Sequence, residues 1–175
     1  MAVKLVYETH ATSVDNEAGV ATGWLPGELS PLGREQAVEL GRRRRDVDHV
    51  YCSDLRRAAQ TAEIAFDGVK EVRQDSRLRE CDYGVYNGRP VSELAALRGA
   101  HVDLPWPGGQ SYRQVVAEMA AFLEEVMKRW PGATVLVVAH TANLWALENL
   151  LMGTPLEDLV TIPFEWRPGW VFDLA

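Results

Sequence analysis

Val3-Lys4-Leu5-Val6-Tyr7-Glu8-Thr9-His10-Ala11-Thr12-Ser13-Val14-Asp15-Asn16 is the stretch whose reading decides the fold. Val3, Leu5, Val6 and Tyr7 make an apolar run that passes at once into small and polar residues. The pattern predicts a buried strand running out into a loop, with the imidazole of His10 at the strand's carboxyl end. In open α/β sheets ligands collect at that edge. A histidine there serves as nucleophile, base or metal ligand, or as a loop residue hydrogen-bonded to a neighbour.

A second run has the same form. Thr134 to Ala139 (TVLVVA) is continuous and largely β-branched, suited to a strand buried on both faces, and it ends at His140. If both strands sit centrally in one sheet, the two imidazoles meet at one edge. Between them helices and strands alternate. Ser30 is an N-cap and Pro31 a first helical residue, predicting a helix to about Arg45. Its last turn, Arg42 to Arg45, complements the helix dipole and reads as a solvated basic end. Asp48 to Ser53 (DHVYCS) reads as a strand, and Ser53 or Asp54 as the cap of a helix from Leu55 to about Phe66. A short strand is expected near Val69 to Val72, a loop over Arg77 to Pro90, a short helix over Val91 to Leu97 and a loop over Leu104 to Gly109. Ser111-Tyr112-Arg113-Gln114 is a capping box. It opens an amphipathic helix with Val115, Met119, Phe122, Val126 and Trp130 on one face. A helix over Asn143 to Met152 is stopped by Gly153 and Pro155. The ending VTIPFEWRPGWVFDLA reads as two strands joined across Arg167-Pro168-Gly169. The alternation predicts a three-layer α/β/α sandwich over a single domain, 1–175.

The formal net charge of −7 over 175 residues argues against nucleic-acid and membrane-surface partners, which need a positive field. The two cysteines, Cys52 and Cys81, offer no disulfide framework, and Cys52 reads as a small buried hydrophobe. No apolar run is long enough for a signal peptide or a membrane span, so a cytoplasmic protein is expected. The other two histidines, His49 and His101, form no zinc-type spacing, and neither GxSxG nor GxxxxGK occurs. No metal or other cofactor is expected.

Further features point to an anion. Ser53-Asp54-Leu55-Arg56-Arg57-Ala58 sets two arginines at a helix start, beside free N–H groups and a positive dipole end. Leu78-Arg79-Glu80 offers a carboxylate in a glycine-bearing loop. Here the chain resembles the histidine phosphatase superfamily, which includes the cofactor-dependent phosphoglycerate mutases. His10 with Asn16 six positions on resembles the family's Arg-His-Gly opening. Leu29 to Ala37 is similar to its Leu-Thr-x-x-Gly-x-x-Gln-Ala helix start. Ser53-x-Leu55-x-Arg57-Ala58-x-x-Thr61-Ala62 matches its signature at every fixed position. Leu78-Arg79-Glu80, Pro107 to Ser111, and Val135 to His140 follow in the family's order.

The resemblance implies a phosphoglycerate mutase-like fold and a phosphomonoester hydrolase acting through a phosphohistidine. In this reading His10 is the nucleophile, Arg57 and a protonated His140 clamp the phosphoryl oxygens, and Glu80 protonates the leaving alkoxide and later activates water. Asn16, Thr9, Ser13 and Thr141 are the expected substrate-binding residues. Arg56 is expected outside the pocket. Thr9 stands where the family carries an arginine, and Ala11 and Thr141 replace its glycines. Loss of one bidentate phosphate contact costs about 1.5–3 kcal/mol. Arg79, Arg89 or Arg113 are the candidates to replace that charge. Strand alternation sends Glu8 and Thr9 to opposite sides. The expected substrate is a small phosphorylated metabolite. Two alternatives stand beside the phosphatase: a non-catalytic phosphoryl-ligand-binding domain degenerated at Thr9, and a phosphoglycerate-type mutase. The apolar C-terminal strands offer an edge for a homodimer.

Overall fold

The computed structural model describes residues 1–175. Along the chain run β1 (Val3–Thr9), α1 (Val14–Ala18), α2 (Pro31–Arg43), β2 (His49–Cys52), α3 (Arg56–Phe66), β3 (Val72–Gln74), α4 (Val91–Ala95), α5 (Tyr112–Arg129), β4 (Thr134–Ala139), α6 (Thr141–Met152), α7 (Leu156–Leu159) and β5 (Trp170–Leu174). The strands form one sheet in the order β3-β2-β4-β1-β5. All neighbours are parallel except β5, which runs antiparallel to β1 at the sheet edge.

The continuous apolar runs of β1 and β4 make sense in this order, because helices cover both faces. Val3, Leu5 and Tyr7 of β1 and Val135, Val137 and Ala139 of β4 pack with Met119 and Phe122 of α5 and Leu144 and Leu147 of α6. On the other face Val6, Leu136 and Val138 meet Leu40 of α2 and Ala59, Ala62 and Phe66 of α3. The fold is therefore a mixed α/β sandwich with a five-stranded sheet between helical layers. Thr9 pairs with Ala139 in the β1–β4 register, so His10 and His140 leave adjacent strands at the same level. The ladder continues one step further, with the His10 N–H donating to the Ala139 carbonyl at 2.8 Å.

Local signals place most ends well. The Ser30 side chain caps α2 through the Gly33 N–H at 3.1 Å, and Ser111 and Gln114 form the expected capping box of α5. Four expectations need correcting. The end of the chain holds one strand, β5, because Pro163 and Pro168 supply no N–H to a ladder and the residues between α7 and β5 run irregularly. The third strand starts at Val72. α3 begins without a side-chain cap, since the Ser53 hydroxyl accepts the Leu55 N–H before the helix opens. α6 begins at Thr141, directly after the histidine.

The basic end of α2 is also more than a solvated terminus. Arg43 Nη2 donates to both carboxylate oxygens of Glu8 at 3.1 Å, and Arg44 Nε donates to Oε1 at 2.9 Å. Glu8 is 1 % exposed, so its charge depends on this pair. Alternation has turned it under the end of α2. Replacing Arg43 and Arg44 together by Met strands a buried carboxylate, and a loss of about 3–5 kcal/mol is expected in urea unfolding. Glu8→Leu should cost less, because both guanidinium groups still reach water.

Candidate active site

His10 and His140 face one another at the carboxyl edge of the sheet, with ring centroids 5.1 Å apart. The His10 Nδ1 lies 2.7 Å from the Ala11 carbonyl oxygen. A carbonyl only accepts, so Nδ1 carries the proton and Nε2 keeps its lone pair. That lone pair is met by Arg57 Nε at 3.3 Å. Arg57 comes from the first turn of α3 and is 3 % exposed. Its Nη2 donates to the Gly23 carbonyl at 3.0 Å, while Nη1 is buried with no partner. Thr61 braces this corner by donating to the Arg57 carbonyl at 2.7 Å and accepting the Ala11 N–H at 3.0 Å.

His140 is fully buried, and neither ring nitrogen has a hydrogen-bond partner. Its backbone is fixed instead. Its N–H donates to Asn143 Oδ1 at 3.1 Å, and the buried Tyr7 hydroxyl donates to its carbonyl. Asn143 Nδ2 in turn donates to the Arg79 carbonyl at 3.0 Å, which ties the second histidine to the residue before Glu80. The Glu80 carboxylate accepts the Cys81 N–H at 2.7 Å, and its carbonyl accepts the Trp24 indole N–H at 2.6 Å. Gly23 is held at φ 55°, where a Cβ would lie 1.8 Å from Asn87 Oδ1. Gly23 and Trp24 thus grip Arg57 and Glu80 from one loop.

His10, Arg57 and Glu80 line a cavity of about 230 Å³ with Asn16, Thr141, Tyr83, Trp145 and Phe164. Burial dominates its electrostatics. The His10 pKa is lowered from 6.5 to about 3 by burial and then by Arg57, against the pull of the Ala11 carbonyl. Burial, Arg57 and His10 hold His140 well below 6.5. Both rings are therefore neutral in the free protein. Burial raises the Glu80 carboxyl above 4.5, opposed by the Cys81 N–H and by Arg57 and Arg98. The arrangement offers a neutral nucleophilic nitrogen, one cation with a spare donor, and a carboxyl group biased towards keeping its proton.

The family profile described as "Histidine phosphatase superfamily (branch 1)" matches residues 9–166. The chain belongs to the histidine phosphatase superfamily. It is 35 % identical over 166 residues to phosphoserine phosphatase 1 of Hydrogenobacter thermophilus, covering 88 % of this chain and 78 % of that one. A 2,3-bisphosphoglycerate-dependent phosphoglycerate mutase of Allorhizobium ampelinum is 32 % identical over 177 residues, covering 90 % and 83 %. Among solved structures, a mycobacterial glucosyl-3-phosphoglycerate phosphatase complexed with VO3 superposes with a TM-score of 0.79 at 29 % identity, covering 91 % and 87 %.

In this member of the superfamily the structure brings His10, Arg57, Glu80, Asn16 and Thr141 onto one cavity, with His140 against the His10 ring. Ser13 is elsewhere: it is fully buried and caps α1 through the Asn16 N–H at 3.0 Å. Thr9 borders His10 on a separate recess that Arg57 does not line. None of the arginines considered as a substitute charge reaches the cavity. Arg79 forks onto Asp54 at 2.7 and 2.6 Å, Arg89 pairs with Glu93, and Arg113 pairs with Asp103. Arg56 pairs with Glu28 in solvent, as expected. The cation that sequence reasoning missed is Arg98, on a 3-10 turn after α4. It lines the cavity, lies 5.5 Å from the Trp145 ring, and its buried Nε–H has no partner. Nothing in the local sequence Leu97-Arg98-Gly99 separates it from a surface arginine.

Because the unfolded chain protonates both imidazoles near pH 6.5 and the folded chain far lower, stability is complete above about 6.5 and falls as the pH drops towards the folded values. Glu80 contributes with the opposite sign, its share being lost as pH rises above 4.5. The melting temperature is expected to fall between about pH 7 and 4, less steeply in His140→Gln than in the wild type.

Proposed function

We propose that the chain is a phosphomonoesterase working through a phosphohistidine on His10. The observation that carries this is the fixed tautomer: a proton held on Nδ1 by the Ala11 carbonyl, and an unprotonated Nε2 beside Arg57 at the cavity that Arg57 and Glu80 line. A phosphomonoester entering there meets the spare Nη1 donor of Arg57 and the positive end of α3, and its dianion draws the Arg57 Nε–H off the nucleophile. His10 Nε2 attacks phosphorus in line, and Glu80 gives its proton to the departing oxygen. The Glu80 carboxylate then takes a proton from water as the phosphohistidine is hydrolysed. His140 is neutral in the free protein. The field of a bound phosphate favours its protonation, which would make it a second clamp. Asn16 and Thr141 donate neutral hydrogen bonds from the rim.

Arg98 supports a substrate class. It lines the same cavity as His10 and Glu80, beside Trp145, and there its guanidinium would pair with a carboxylate. Phosphoserine and phosphoglycerate, named for the relatives, both carry one. We therefore favour a small phosphorylated carboxylic acid. A transfer between hydroxyls, as in a mutase, or binding without turnover, as in a degenerate site, remain the competing outcomes of the same assay.

With an alkyl phosphate such as phosphoserine, His10→Ala is expected to abolish both turnover and acid-labile protein phosphate. Glu80→Gln should slow alkyl phosphates by about 10²–10⁴ but p-nitrophenyl phosphate far less, since that leaving group needs no proton. Phosphate bound without turnover, or an unphosphorylated His10 in an active enzyme, would overturn the reading. Arg98→Ala is expected to raise KM for phosphoserine by about 10- to 100-fold and to leave p-nitrophenyl phosphate little changed.

A further inference from the structure

A second recess opens onto His10. It measures about 460 Å³ and is bordered by Thr9, Thr12, Gln36 and Trp166, none of which lines the first cavity. The two openings share His10, Asn16, Thr141 and Phe164. A phosphoryl group on His10 Nε2 therefore sits at their junction. The flanks of that junction differ in kind. Arg57, Glu80 and Arg98 all belong to the first opening, and no charged side chain borders the second. The amides of the second are oriented from behind: Asn16 Oδ1 accepts the Ser13 N–H at 2.9 Å and Gln36 Oε1 accepts the Thr12 N–H at 2.9 Å. Each is left with only N–H groups to offer. The outer wall is aromatic, with Phe164 45 % and Trp166 61 % exposed.

In-line displacement fixes what each flank can hold. The leaving oxygen lies opposite Nε2, where Glu80 can protonate it. The other oxygens radiate around the reaction axis, and in a monoester they share two negative charges that need cations or donors on every side. The flank towards Thr9 instead supplies space, neutral donors and aromatic rings. A group can reach that recess from the reacting phosphorus only through an oxygen that does not leave.

We propose that this site also cleaves phosphodiesters, with the organic group on the non-leaving oxygen seated in the recess between Gln36, Phe164 and Trp166. The proposal goes beyond the monoesterase reading and rests on the same nucleophile. His10 Nε2 forms a bond to phosphorus as the bond to the leaving oxygen breaks, and that oxygen takes the Glu80 proton. The intermediate is a phosphohistidine that still bears one ester. Water, deprotonated by Glu80, breaks the P–N bond and releases a phosphomonoester and the free imidazole. A diester carries one charge fewer than a monoester, which suits a site with a neutral flank.

The test compares phenyl p-nitrophenyl phosphate with p-nitrophenyl phosphate on the full chain, following nitrophenolate release and the mass of the acid-labile adduct. The diester should reach at least about one-hundredth of the monoester kcat/KM, with an adduct that retains the phenyl group. Trp166→Ala, on an exposed side chain, should lower the diester-to-monoester ratio about tenfold, and Thr9→Arg should lower it further by filling and charging the recess. A smaller ratio in the wild type, or one that neither substitution lowers, overturns the proposal and leaves the monoesterase reading standing. A chain inert towards both esters overturns both.

Discussion

The parallel pairing of β1 with β4 is the constraint on which the rest of the site depends. It sets Thr9 opposite Ala139 and brings two imidazoles, some 130 residues apart in sequence, within 5.1 Å. Both strands are central and buried on both faces, so a slip of register would move Leu5 and Tyr7 out of one core layer and Val6 out of the other. The hydrophobic core thereby fixes the spacing of the two histidines. The backbone at the strand ends is then held by specific donors, Tyr7 on the His140 carbonyl and Asn143 on the Arg79 carbonyl. Packing places the site, and hydrogen bonds trim it.

The free site is poised by mutual neutralisation. Arg57 cannot stand beside a protonated His10 without cost, and burial penalises every charge in the cavity. The result is a neutral His10 imidazole, a carboxyl whose pKa is raised, and a guanidinium that donates to the His10 Nε2 lone pair. A phosphate dianion would favour a protonated imidazole, draw the Arg57 donor to itself and hold the Glu80 carboxyl still more firmly in its protonated form. The cavity is therefore arranged for a negative occupant even though the chain as a whole carries a net charge of −7.

Much of this was legible in the residues. The two strand-end histidines, the α2 start at Ser30-Pro31 and the Ser111–Gln114 box carry local signals that tertiary packing had no reason to override. Arg57 and Glu80 were legible through their motifs. What the sequence hid was long-range partnership. Strand alternation separates Glu8 from Thr9 but does not name its partners; Arg43 and Arg44 hold it, and the same contact explains why a run of arginines closes α2. Ser13 carries a hydroxyl near the nucleophile in sequence, but its turn directs that hydroxyl to a helix cap. Arg98 lies on an irregular turn whose position is set by what it packs on, so no periodicity could mark it. The run before β5 alternates like a strand in sequence, but Phe164 faces the cavity while Ile162 and Trp166 are exposed, so it forms no second strand.

The sheet order has a consequence for how the molecule comes into being. β1 emerges first, yet both of its neighbours, β4 and β5, lie in the last third of the chain. Until those are synthesised the opening strand has no partner on either side and its apolar residues stay unprotected. Contacts of such long sequence separation slow folding and expose the nascent chain to aggregation. His10 is therefore made long before the strand that brings His140 to meet it, and a chain cut short before Thr134 would hold His10 with nothing to face it.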